Sequence, residues 1–124
     1  MNKIYHLKTC DTNQRILKQI KAAVSENNYK SFVFQEIKTQ PITVAQLEEM
    51  HNFTKSYEDL FSKRAKRYKL LKDQTLTEKD FKQLILEEYT FLKRPVIIVE
   101  DEIFVGNSKK NVALLIQKLL EIKR

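Results

Sequence analysis

Cys10 is the only cysteine in the chain, and His6, one of two histidines, stands four residues before it in the stretch Tyr5-His6-Leu7-Lys8-Thr9-Cys10-Asp11-Thr12-Asn13. A thiol becomes a nucleophile when it loses its proton, and nearby positive potential promotes that loss. Ile16, Leu17, Ile20, Ala23 and Val24 follow at spacings of three and four, which marks one buried face of a helix beginning just after the sulfur. The unpaired N–H groups and positive dipole end of that helix favour a thiolate at Cys10. His6 would hold the thiolate if protonated and accept its proton if neutral. The competing readings are a small buried apolar cysteine and a strand-end histidine bonded to backbone. The helix entrance favours the reactive thiol, while for His6 the two readings stand level.

The elements that must position this stretch follow from pattern. Lys3 to Leu7 is short and apolar and reads as a strand. The helix after Cys10 runs to about Ser25 and ends at Asn27-Asn28, and Ser31 to Ile37 reads as a second strand. Strand, helix, strand is a right-handed βαβ unit with parallel strands. Thr43 with Gln46 is a capping-box signature ahead of Val44, Leu47 and Met50, and Thr77 is a second N-cap before Phe81, Leu84 and Ile85. Residues 43 to 90 are therefore expected to be mostly helical. Arg94-Pro95-Val96-Ile97-Ile98-Val99 opens a β-hairpin that turns at Glu100-Asp101-Glu102, continues through Ile103-Phe104-Val105 and stops at Gly106. A last helix from about Ser108 presents Val112, Leu115, Ile116, Leu119 and Leu120 on one face. Phe32, Phe34, Phe53, Phe61, Phe81 and Phe104 are expected in the core, and His51 on an exposed helix face.

Bulk properties remove several function classes. At 124 residues with 42% apolar content, the chain is expected to be a single domain, 1–124, with a helical insertion at about 43–90. One cysteine excludes an internal disulfide, and one cysteine with two separated histidines excludes a zinc cluster, so no metal is expected. A single glycine leaves no phosphate-cradling loop, and no HExxH or GxSxG occurs. Glu48-Glu49 and Glu87-Glu88 read as solvent-facing pairs. Neither a leader nor an apolar run of membrane-spanning length is present, so the expected location is the cytoplasm, without membrane contact. The formal net charge of +7 suits anionic partners. Six cations fall between Lys63 and Lys72 (Lys63, Arg64, Lys66, Arg67, Lys69 and Lys72), either a solvated helix face or a surface for an anion.

The βαβ opening with cysteine at the helix start, and the ββα close beginning at a proline, form the plan of the thioredoxin fold. Tyr5-His6 ahead of Cys10, the Thr12 that follows it, Leu60-Phe61 before a basic segment with Tyr68, Leu76-Thr77 before a helix and Lys93-Arg94-Pro95-Val96-Ile97-Ile98 together resemble the arsenate reductase family, which includes the Spx-type regulators. The resemblance runs from residue 3 to about 120. It implies an α/β fold with a mixed four-stranded sheet, ordered β-α-β, inserted helical block, β-β-α. It also implies attack by the Cys10 thiolate on arsenate or another oxyanion or disulfide, with His6 assisting, Arg94 binding negative charge and Pro95 in cis. No cofactor would be bound. Glutathione with glutaredoxin, or another external thiol, would return the cysteine to its reduced form.

Departures from the family pattern shape the expectation. Of three arginines that surround the oxyanion in catalytic members, only Arg94 is matched; the others fall on Ser62 and near Gly106. Asn13 stands three after the cysteine, where it can donate a hydrogen bond, and Arg64 or Lys66 could partly replace the missing arginines. Spx regulators usually carry a CxxC switch, and Asn13 occupies the position of its second cysteine. The expected function is thus a thiol-dependent oxidoreductase in which Cys10 and His6 are catalytic and Arg94, Arg64 and Asn13 bind substrate. The alternative is a non-catalytic, Spx-like regulator docking its basic face on an acidic protein such as RNA polymerase, nucleic acid being the less favoured partner.

Overall fold

The computed structural model describes residues 2–122, which form two compact units: residues up to 37 together with those from 94 onward, and residues 38–93. In the first unit, strand β1 (Lys3–His6) pairs in parallel with β2 (Val33–Glu36) and antiparallel with β3 (Val96–Val99), which forms a hairpin with β4 (Glu102–Val105). The mixed sheet has the order β2-β1-β3-β4. Helices α1 (Asp11–Ala23) and α2 (Glu26–Ser31) carry the chain from β1 to β2, and α5 (Lys109–Ile122) follows β4.

The core of this unit places Ile4, Ile97, Val99 and Phe104 of the sheet against Ile16 and Ile20 of α1 and Leu115 and Leu119 of α5. These side chains are at most 5% exposed, so the periodic apolar faces of both helices are spent on one sheet face. Strand direction then fixes the place of the chemistry. β1 and β4 end, and β3 begins, at the same edge of the sheet, so Cys10, Arg94-Pro95 and Gly106 all lie along that edge.

In the second unit, α3 (Val44–Thr54) and α4 (Glu78–Glu87) both start at two-way capping boxes, Thr43 with Gln46 and Thr77 with Asp80. Phe61 stacks on Phe91 with centroids 4.9 Å apart and tilts against Phe81, while Ser62 N–H donates to Phe91 O and Lys93 N–H to Leu60 O. These contacts tie the middle of the unit to its end.

Several expectations require correction. Asn27 and Asn28 do not end a helix; α1 stops at Val24, and Ser25, accepting a hydrogen bond from Asn28 N–H, caps α2 around them. Residues 55–77 carry only two short 3-10 segments, Glu58–Leu60 and Lys66–Leu70. Lys55 in the left-handed conformation (φ 61°) closes α3, and like charges three and four apart in 63–72 oppose a regular helix there. The Glu78 carboxylate accepts from both Tyr57 N–H (2.7 Å) and Glu58 N–H (3.1 Å), holding the first segment as a turn. Phe34 is 38% exposed because it lies on edge strand β2, and Phe53 is only half-buried. His51 is half-buried and stacked on Tyr57 at 4.1 Å rather than exposed. Glu88 is not solvent-facing: it accepts from Thr90 N–H and pairs with Arg67 at 3.2 Å.

Candidate active site around Cys10

Cys10 occupies the N-cap of α1 with extended backbone (φ −96°, ψ 113°), and its carbonyl accepts the first helical hydrogen bond, from Gln14 N–H. Its own N–H donates to Leu7 O at 3.2 Å, closing a tight turn between strand and helix. The sulfur is half-buried and does not cap the helix itself. It accepts instead: Asn13 Nδ2 donates to Cys10 Sγ at 3.4 Å. Asn13 is fully buried, and its Oδ1 accepts from Leu7 N–H at 3.0 Å. One amide thus joins the end of the strand to the sulfur. The loop is tied further by Gln14 Nε2 donating to Lys8 O and by Lys8 N–H donating to Glu36 Oε2 of β2.

This geometry revises the expected roles. Asn13 has no exposed surface, and its amide is spent between the Leu7 N–H and the Cys10 sulfur. His6 is 7% exposed and meets Phe34 edge-on, with centroids 6.2 Å apart. Among the described residues neither ring nitrogen bonds to Cys10, and Nδ1 is buried without a partner. Burial pushes the imidazole below its ordinary pKa of 6.5; Glu36 raises it and Lys8 lowers it further, to a smaller extent. His6 is therefore neutral at pH 7, and the donor aimed at the sulfur is an amide rather than an imidazolium.

The Arg94–Pro95 peptide bond is cis, and the antiparallel register that pairs Tyr5 with Val96 brings Pro95 level with His6 on the neighbouring strand. Arg94 is half-buried, two residues before β3 begins. Pro95 O accepts from Gly106 N–H at 2.8 Å, and Gly106 has φ 89°, a conformation that disfavours any residue with a Cβ. Ser62 and Arg64 belong to the second unit. Ser62 N–H is used in holding Phe91, and Arg64 is exposed with no ion-pair partner among the described residues. Of the six cations in 63–72, Lys63 pairs with Glu58 (2.7 Å) and Arg67 with Glu88, while among the described residues Arg64, Lys66, Lys69 and Lys72 have no carboxylate partner. Among the described residues no group of three or more His, Cys, Asp or Glu is placed to hold a metal ion.

The ArsC family model matches residues 5–115. The chain belongs to the ArsC family. Solved structures with the same fold include an ArsC-family-related protein from Bacteroides fragilis (22% identity, TM-score 0.70, covering 92% of this chain and 96% of that one). Others are a Yersinia pestis protein named for arsenate reductase (18%, 0.72, 93% and 98%) and an arsenate reductase (ArsC) related protein from Brucella melitensis (17%, 0.62, 91% and 92%). No curated protein matches by sequence. In this ArsC-family chain the residue that reading by type undervalued is Asn13. Its signal was available: a polar side chain one helical turn past an N-cap, on the same face as buried Ile16, Leu17 and Ile20, must find hydrogen-bond partners inside.

Proposed function

We propose that this ArsC-family protein is a thiol-dependent oxidoreductase whose nucleophile is Cys10. The observation that carries the reading is the hydrogen bond from buried Asn13 Nδ2 to Cys10 Sγ at the start of α1. A fixed donor beside the sulfur and a place at a helix entrance are the surroundings of reactive rather than structural cysteines. With a disulfide R–S–S–R′, the Cys10 thiolate forms a bond to one sulfur, the S–S bond breaks and R′S⁻ departs. An external thiolate, such as that of glutathione, then attacks the RS sulfur of the mixed disulfide; a new S–S bond to RS forms, the bond to the Cys10 sulfur breaks, and Cys10 returns as thiolate. Arg94, beside Pro95 at the same sheet edge, is assigned to the negative charge of an oxyanion or anionic disulfide. Arsenate itself would meet fewer arginines than the family pattern supplies, so disulfides are the favoured substrates.

The test combines alkylation by iodoacetamide with turnover of arsenate and of hydroxyethyl disulfide in glutathione and glutaredoxin. Faster alkylation than glutathione at pH 7, disulfide turnover and loss of both in Cys10→Ser are expected. Alkylation no faster than glutathione, with neither substrate turned over, would overturn the reading.

A second reading, docking on an acidic protein such as RNA polymerase without catalysis, is favoured by one observation. Leu70 is 80% exposed, an apolar side chain in a run whose Arg64, Lys66, Lys69 and Lys72 have no ion-pair partner among the described residues. Reversing those four charges removes partner capture if this reading holds and leaves it unchanged if it does not.

A further inference from the structure

A groove of about 950 Å³ runs along the outer surface of the first unit, between α1 and α5. Its floor is apolar, formed by Ile16 of α1 with Val112, Ile116 and Leu120 of α5, and Leu120 is 48% exposed. On α5 the residues facing it fall at Lys109, Ala113, Ile116 and Leu120, the alternation of four, three and four that makes a helix-pairing seam. Ala113 in the middle is exposed and small, so a second helix can approach closely there.

Charge is distributed unevenly along the seam. Arg15 and Lys109 line the end nearer the helix N-termini, and Glu121 lines the other end. Among the described residues none of the three has an ion-pair partner. A surface that is positive at one end, negative at the other and apolar between is complementary to itself when turned through 180°.

We propose that this face is a self-association surface, in which α5 packs antiparallel on α5 of a second copy about a two-fold axis. The axis crosses α5 at the level of residue 115, between exposed Ala113 and Gln117, which sets Lys109 and Arg15 of each copy against Glu121 of the other. The seam is modest in size. The fourteen residues of α5 span ~21 Å, and two helices side by side are ~20 Å wide. That is a footprint of roughly 400 Å² per copy, about half of what a stable interface buries, so the dimer is weak and concentration-dependent. An antiparallel arrangement points the two Cys10 ends away from each other, so thiol reactivity is independent of it.

Sedimentation equilibrium on the full chain up to about 0.5 mM tests the register through charge reversal. Lys109→Glu places an acid in the first turn of α5 and Glu121→Lys a cation in its last, both favourable to the helix dipole, so both variants fold. Each alone sets like charges against each other at both ends and weakens self-association about tenfold. Mixed in equal amounts, the two variants pair with one another, because both contacts are then between opposite charges, and association returns to the wild-type level. A wild-type chain that is monomeric throughout, or variants that do not recover on mixing, would overturn the proposal. So would saturable binding of dodecanoate, followed by amide shifts confined to α1 and α5 in a monomeric protein, which would make the groove a site for an amphipathic carboxylate instead.

Discussion

Asn13 carries two hydrogen bonds that ordinary side-chain inventory would not assign to it, one to the Leu7 N–H and one to the Cys10 sulfur. Replacing it with Ala leaves a buried backbone N–H unpaired and costs about 1–3 kcal/mol of stability. Denaturant melts of Asn13→Ala should show that loss, with slower iodoacetamide alkylation of Cys10 at pH 7. His6 makes a separate prediction. Its folded pKa lies below the ordinary 6.5, so the unfolded chain binds the proton more readily. Stability is therefore full above about pH 6.5 and falls as pH drops from there towards the folded value. His6→Asn should flatten the dependence of Tm on pH below about 6.5, and an unchanged slope would show that His6 is not its source. At this scale the sequence shows which side chains stand near Cys10 along the chain but not which of them touch its sulfur. Residue type and spacing place His6 near Cys10 along the chain, whereas strand alternation turns its ring to the Ile4 side and against Phe34.

Elements were legible where local chemistry decides them. Thr43-x-x-Gln46 and Thr77-x-x-Asp80 start their helices because each box satisfies two terminal N–H groups within four residues, a short-range signal. Thr77→Ala should cost about 1 kcal/mol of stability in denaturant melts. Gly106→Ala, at φ 89°, should cost about 1–2 kcal/mol, for the added Cβ crowds the following carbonyl. What failed was the segment between α3 and α4. Its conformation rests on Glu78, some twenty residues away in sequence, accepting two N–H groups at Tyr57 and Glu58. Nothing in the local composition of 55–77 announces a partner at that separation. The basic run likewise read as a helix face because cations favour helix individually, but its like charges oppose helix together.

At the scale of the molecule, β1 has one neighbour supplied early and the other late: Ile4 pairs with Phe34 on one side and with Ile97 on the other. Local patterning shows that these strands exist, but not that the first lies between the second and the third. The presence of a mixed four-stranded sheet was legible only through the order of separated motifs. A chain ending at residue 93 keeps β1 and β2 but loses Ile97, Val99, Phe104, Leu115 and Leu119 from the core around Ile4 and Ile20. Amide spectra of that truncation should lack the dispersed signals of residues 3–37, because α1 has nothing against which to bury its apolar face. Dispersed signals from that region would show that the βαβ unit is stable without the hairpin and α5.

The orientation of the Asn13 amide has a consequence of its own. Ordinarily an amide can turn end for end and present either oxygen or nitrogen to a neighbour, with little to choose between them. Here the Leu7 N–H can bond only to the oxygen, so the nitrogen has one direction left to face. The sulfur at position 10 accordingly faces a donor and not an acceptor. The amide acts as a one-way fitting, with its oxygen held by the strand and its nitrogen turned to the sulfur.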